Sequence, residues 1–142
     1  MPSGKADPAG ALRIELPVGE PAIEQVRLAV LAYLEPFGPG DRVTNRVEVI
    51  LEELVSNVVR HSAGATQVTV EAAMAGDSLE LTIVDDGPAF DPTAAADPAG
   101  FTSLEAATPG GLGIAMVRRM STLFAYSRAD GRNRVTVCLA AR

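Results

Sequence analysis

Glu52-Glu53-Leu54-Val55-Ser56-Asn57-Val58-Val59-Arg60-His61 lies late in a run of helical period that begins near Asp41. Val43, Val47, Ile50, Leu51, Leu54 and Val58 recur at steps of three and four, which marks one apolar face. At about 100° per residue, Asn57 falls on the margin of that face, near Ile50 and Leu54. Glu53 lies just beyond it, one turn earlier. A carboxylate and a carboxamide at i and i+4 therefore look inward. A buried polar group without a partner costs about 1–3 kcal/mol, so both need one. Taken alone, the stretch favours a plainer reading, an edge-of-core Asn bonded to backbone and a solvated Glu. The remainder of the chain reverses that preference.

Upstream, residues 1–10 read as a floppy tail without function. Leu12, Ile14 and Leu16 alternate with Arg13 and Glu15, which predicts a strand ended by Pro17 and Gly19. A helix follows from about Pro21 to Glu35, with Ile23, Val26, Val30 and Leu34 on one side. Pro36, Gly38, Pro39 and Gly40 then link it to the central helix. Downstream, Val68, Val70 and Ala72 alternate with polar neighbours, and Leu79, Leu81 and Ile83 form a partner strand beyond the turn at Ala75-Gly76-Asp77. Strands joined so tightly are antiparallel. From Pro88 to Pro109 periodicity fails, as in a binding loop or lid. Ile114, Val117 and Met120 mark a third helix. Residues 126–129 and Val135, Val137 and Leu139 mark two further strands around an Asp130-Gly131 turn. The order β-α-α-β-β-lid-α-β-β predicts an α+β sandwich, with helices on one face of a mostly antiparallel sheet.

With 142 residues the chain holds one domain, expected over 11–142, and hardly two. Trp is absent and aromatics are few, so Val, Leu, Ile and Ala must build the core. A net charge of −6 argues against a broad nucleic-acid or anionic-membrane surface. It leaves room for a local basic patch, because Arg118, Arg119, Arg128, Arg132 and Arg134 fall in the second half and Arg60 lies near the end of the central helix. Cys138 is the lone cysteine and reads as a small core residue. With no secretory h-region and no membrane-length apolar run, the cytoplasm is the expected location.

Three signals stand together. Glu53 and Asn57 share one side of the central helix. Asp85-Asp86-Gly87 stands where a strand runs into a loop; an acidic side chain there can accept from an exocyclic amine, and glycine permits close approach. Without a ligand it would be an ordinary Asp-Gly turn. Gly110-Gly111-Leu112-Gly113 opens a helix whose free N–H groups suit phosphate oxygens. The glycine cluster is not a dinucleotide fingerprint, since Met116 stands at the third glycine, and it lacks the Gly-Lys-Ser/Thr of a Walker loop. A nucleotide with its magnesium ion would satisfy all three.

Glu53-x-x-x-Asn57, Asp85-x-Gly87-x-Ala89 and Gly110-Gly111-Leu112-Gly113-Ile114 resemble the three ATP-site boxes of the GHKL ATPases. Residues 84–92, 110–120 and 130–137 narrow the resemblance to the stand-alone bacterial anti-sigma-factor serine kinases, a histidine-kinase-like ATPase group. It covers about residues 12–140. It implies a Bergerat-fold sandwich with ATP between helix and lid. It implies Asn57 as the Mg²⁺ ligand, Glu53 as general base, Asp85 and Gly87 at adenine, and Gly110, Gly111, Leu112 and Gly113 at the phosphates. Ala89 belongs to the second box, where it replaces the usual glycine, and Thr136 is expected near adenine. His61 reads as a supporting or core residue, and a lone His argues against a transition-metal site.

The implied activity is transfer of the ATP γ-phosphate to a serine of a STAS-type anti-anti-sigma protein, with a sigma factor as second partner. The resemblance also leaves room for a homodimer. Residues 91–113 contain no Lys or Arg. Charge for transfer must then come from Mg²⁺, the helix N-terminus, Arg60 or Arg118. Otherwise the chain is a nucleotide-gated switch that grips its partner with little turnover. A sensor histidine kinase domain ranks third, and larger ATPases of the superfamily fail on length.

Overall fold

The computed structural model describes residues 3–6, 10–94 and 111–141. Its elements are β1 (Ser3–Ala6), β2 (Leu12–Pro17), α1 (Glu20–Leu34), α2 (Asp41–His61), β3 (Gln67–Ala75), β4 (Ser78–Asp85), α3 (Gly111–Met120), β5 (Leu123–Ala129) and β6 (Arg132–Ala140). Short 3-10 turns cover Glu35–Phe37 and Pro92–Ala94. The strands form one six-stranded sheet in the order β1-β2-β3-β4-β6-β5. Every neighbouring pair is antiparallel. The expected α+β sandwich is therefore found, with one strand more than the pattern predicted. Ser3–Ala6 pairs with β2 where a floppy tail was expected. The open edge of β2 offers unpaired N–H and C=O groups, and those bind any chain that can lie alongside, whatever its side chains. Of the expected lid, Pro88 to Pro109, residues 95–109 lie outside the described residues.

Alternation fixes which sheet face is covered. Leu12, Ile14 and Leu16 of β2, Val70 of β3, Leu81 of β4 and Val137 of β6 are buried with their same-parity neighbours. The opposite parity carries Arg13, Glu15, Glu71, Glu80 and Arg134, which suits water. The three helices pack on the apolar face. The α1 stripe is Ala22, Val26, Val30 and Leu34, so Ala22 replaces the expected Ile23 as the innermost residue of its first turn. In α2, Val43, Val47, Ile50, Leu51, Leu54 and Val58 are all buried, as the spacing required. Asp41 lies in the first turn of α2 and Arg60 and His61 in the last, each with the sign that the helix dipole favours. Among the described residues no helix is long and apolar enough to cross a membrane.

Two turns decide the registers near the site. Asp130 and Gly131 adopt φ of 55° and 73°, the two-residue hairpin geometry that matches strand twist, and so set β5 against β6. Asp86 ties the end of β4 to the start of β3. Its carboxylate accepts from the Thr66 N–H at 2.7 Å, the Gln67 N–H at 3.1 Å and the Thr66 hydroxyl. These donors, led by the Thr66 hydroxyl, lower its pKa to about 2. A depressed carboxylate pKa adds stability that is present above the unfolded value and is lost as pH falls towards the folded one. Asp86→Asn should thus cost about 1 kcal/mol or less at neutral pH, given its exposure to solvent. Urea unfolding should show that difference narrowing between pH 4 and pH 2.5, and a constant difference would refute the assignment.

Candidate functional site

The long α2 carries Glu53 and Asn57 one turn apart at its C-terminal end. Asn57 is 5% exposed and sits beside the apolar stripe. Arg60, three residues on, donates from Nη2 to Asn57 Oδ1 at 3.2 Å. Asn57 Nδ2 and Glu53 Oε1 are both buried and have no hydrogen-bond partner among the described residues. Two such orphans one turn apart are costly in a folded protein and mark a place built for a ligand. Burial pushes the Glu53 carboxyl above its ordinary pKa; Arg60 pulls it back, Glu52 adds to the rise, and His61 opposes it weakly.

The start of α3 presses on this pair. A Cβ at Gly113 would stand 2.2 Å from the Glu53 carboxyl carbon, inside any non-bonded contact. Only a residue without a side chain lets the backbone of α3 lie against that carboxylate. Gly111 and Leu112 open the same first turn, where N–H groups have no intrahelical partner. Gly110 falls outside the described residues.

Asp85 ends β4 on the inner face and is 6% exposed. Its Oδ1 accepts from the Gly87 N–H at 2.9 Å and from Asn133 Nδ2 at 3.1 Å. Gly87 also requires the absence of a side chain, since a Cβ would stand 2.7 Å from Ser62 Cβ in the α2–β3 loop. Asn57 and Asp85 line one cleft, walled by Leu54, Ile83 and Val135. Phe90 and Pro92 close it, leaving a cavity of about 20 Å³. That is room for a single water and far less than a purine occupies. The Phe90 ring stacks on His61 with centroids 5.1 Å apart and planes 18° from parallel.

The fold thus brings Glu53, Asn57, Asp85, Gly87 and Gly113 together. Ala89 is exposed on the segment above the cleft. Thr136 does not join them. It pairs with Thr82 across the β4–β6 ladder, on the sheet face away from Val135, Val137 and the helices. The expectation of Thr136 at adenine fails on strand parity, because inward positions of β6 are the odd-numbered ones. His61 is exposed and lies against Phe90 rather than in the core. Of the two arginines expected to lend charge, Arg60 touches Asn57. Arg118 instead donates to the Thr93 carbonyl at 2.9 Å and lies over the Phe124 ring. Asn133 was missed. The signal was available: it stands two residues before Val135, at an inward position where an amide needs a reason.

Residues 17–139 match the family described as the histidine kinase-like ATPase domain. The chain is 33% identical over 116 residues to the serine/threonine-protein kinase BtrW of Bordetella bronchiseptica, covering 75% of this chain and 80% of that protein. It is 29% identical over 93 residues to the sensor protein KdpD of Escherichia coli, covering 59% of this chain and 10% of KdpD. Among solved structures it is similar to the RsbU and RsbW domains of a Mycobacterium tuberculosis protein, with a TM-score of 0.66, 19% identity and 92% of this chain covered. It spans 32% of that longer polypeptide. It is also similar to the SiaB–SiaC complex of Pseudomonas aeruginosa, with a TM-score of 0.60, 20% identity, and 90% and 88% of the two chains covered. The structural likenesses speak for the fold, and the sequence match over most of the chain speaks for descent. This chain belongs to the histidine kinase-like ATPase domain family.

Proposed function

We propose that this protein is an ATP-dependent serine kinase of the anti-sigma-factor type. It would phosphorylate a STAS-type anti-anti-sigma protein and hold a sigma factor when that protein is not engaged. The observation that carries the reading is the orphaned pair, Glu53 Oε1 and Asn57 Nδ2, buried next to a cleft that ends at Asp85. Descent shared with a serine/threonine kinase supports it.

The residues suit a magnesium nucleotide. Asn57 Oδ1 already sits against a cation, the Arg60 guanidinium, and an amide oxygen is the kind of ligand magnesium takes. Among the described residues no three His, Cys, Asp or Glu side chains converge, so Asn57 would hold the ion together with phosphate oxygens. Bound Mg-ATP supplies the transferable phosphoryl group and a charge to offset its negative oxygens. Asp85 accepts from the adenine amine, and Gly87 admits the base edge. Gly111 and Gly113 would offer backbone donors to the phosphates from the first turn of α3, with Leu112 between them. Glu53 takes the proton of the incoming serine hydroxyl as its oxygen bonds the γ-phosphorus and the β-phosphate oxygen departs with ADP. Gly113 packs its backbone against that carboxylate.

A second reading is the nucleotide-gated switch without useful turnover. It is favoured by the absence of Lys and Arg from 91–113 together with the engagement of Arg118 at Thr93. Incubation with γ-labelled Mg-ATP and the STAS-domain proteins of the same genome separates the two. Label on a serine supports the kinase. Stable binding without label supports the switch, and neither binding nor label removes both. Asn57→Ala should abolish the magnesium dependence of ATP affinity, a loss of about tenfold or more in calorimetry with the ion present. An undiminished response to magnesium would remove Asn57 from the metal site.

A further inference from the structure

Asn133 is 2% exposed and faces Asp85 across the β4–β6 ladder. Every polar atom of its side chain is engaged. Nδ2 donates to Asp85 Oδ1 at 3.1 Å and to the Pro88 carbonyl at 2.8 Å. Oδ1 accepts from the Phe90 N–H at 3.2 Å, the Tyr126 hydroxyl at 2.6 Å and Arg128 Nη1 at 2.9 Å. Arg128 Nη1 also reaches the Gly87 carbonyl at 3.0 Å, so β5, β6 and the 87–90 segment meet on this one amide. A flip would set Nδ2 against the N–H donors of Phe90 and Arg128, so the orientation is locked.

The lock acts on Asp85. Its Oδ1 receives two donors, the Asn133 amide and the Gly87 N–H. Its Oδ2 makes no hydrogen bond among the described residues, and Asp85 lines the cleft shared with Asn57. We propose that Asn133 is the positioning residue that sets base specificity: it saturates one oxygen of Asp85 and presents the other to the cleft as a pure acceptor, selecting a purine with an exocyclic amine over one with a carbonyl there. A carboxylate free to rotate could meet a carbonyl through a bridging water. One pinned by two donors leaves that carbonyl facing an unpaired acceptor, which is how a polar site rejects a near-isostere. The inference rests on the adenine reading of Asp85.

ATP and ITP differ at this position, amine against carbonyl. Calorimetric titration of the full chain with each, magnesium present in both, cancels the phosphate and metal contributions. Wild type should prefer ATP by about 10–100-fold. Asn133→Ala should bring the ratio below about threefold, whereas Asn133→Thr, which keeps a hydroxyl donor on that strand face, should recover most of it. A purely structural Asn133 would weaken both nucleotides alike and leave the ratio unchanged. Wild type without preference would remove the adenine role of Asp85 and this inference together. A preference that survives in folded Asn133→Ala would overturn the inference alone. Should the alanine variant not fold, Tyr126→Phe takes away one of the donors that lock the amide. The ratio should then fall several-fold at unchanged circular dichroism, and an unchanged ratio overturns the proposal.

Discussion

Glu53→Gln is expected to slow phosphate transfer by about 10²–10⁴-fold, the range a positioned general base contributes. ATP affinity should change by less than about threefold, since the base touches the incoming hydroxyl and not the nucleotide. Glutamine keeps the shape against Gly113 and discards only the proton acceptor. The carboxylate suits the task because burial raises its pKa, which makes it a stronger base than an exposed glutamate. The sign for pH follows directly. The ionised form is the active one, so the rate should rise with pH through a midpoint above the ordinary 4.5. Arg60 lowers that pKa, so Arg60→Ala should move the midpoint to higher pH. A rate in Glu53→Gln within tenfold of wild type would remove Glu53 from the chemistry and leave the switch as the better account.

Gly113→Ala should reduce transfer by about 10²-fold with little change in stability, a combination few core substitutions give. Within a helix, alanine in place of glycine ordinarily stabilises by about 1 kcal/mol. Here the added methyl would lie 2.2 Å from the Glu53 carboxyl carbon and from Oε2. What it meets is the far end of a flexible side chain, so the carboxylate turns aside rather than the helix breaking. The rotation costs about as much as the helix gains, and the base is left misplaced. Combining the substitution with Glu53→Gln should add almost nothing to the loss in rate, because both disable one group. Fully additive losses would mean that Gly113 acts through something other than Glu53. A thermal midpoint lowered by more than about 8 °C would mean that the collision is relieved by moving α3 itself.

Much of the site was legible because it is local. Glu53 and Asn57 are one turn apart on a helix whose apolar stripe is unbroken, and helical geometry alone turns both inward. Asp85 and Gly87 follow a strand whose alternation is regular to its end. What stayed hidden depends on two segments meeting. Thr136 is the exception: the alternation of Val135, Val137 and Leu139 already turns even-numbered positions of β6 to the outer face. The same alternation turns Asn133 inward, but its partner lies in another strand. It becomes meaningful only when β6 lies beside β4 and sets its amide opposite Asp85. Arg118 sits on the expected helix, yet a carbonyl from the Pro92–Ala94 turn captures it.

By itself the sequence determined the three helices, the five strands from Leu12 onward, their burial faces and the inward pair on α2. Each is dictated by a period of 3.6 or 2 and by turn residues close by in the chain. Only the tertiary structure decided that Ser3–Ala6 would close the sheet edge and that Gly113 would lie against Glu53. It alone decided that Phe90 and Pro92 would fill the cleft and that Asn133 would hold Asp85. Those contacts join residues far apart in the chain, and their energies come from steric fit and hydrogen-bond pairing that no local pattern encodes.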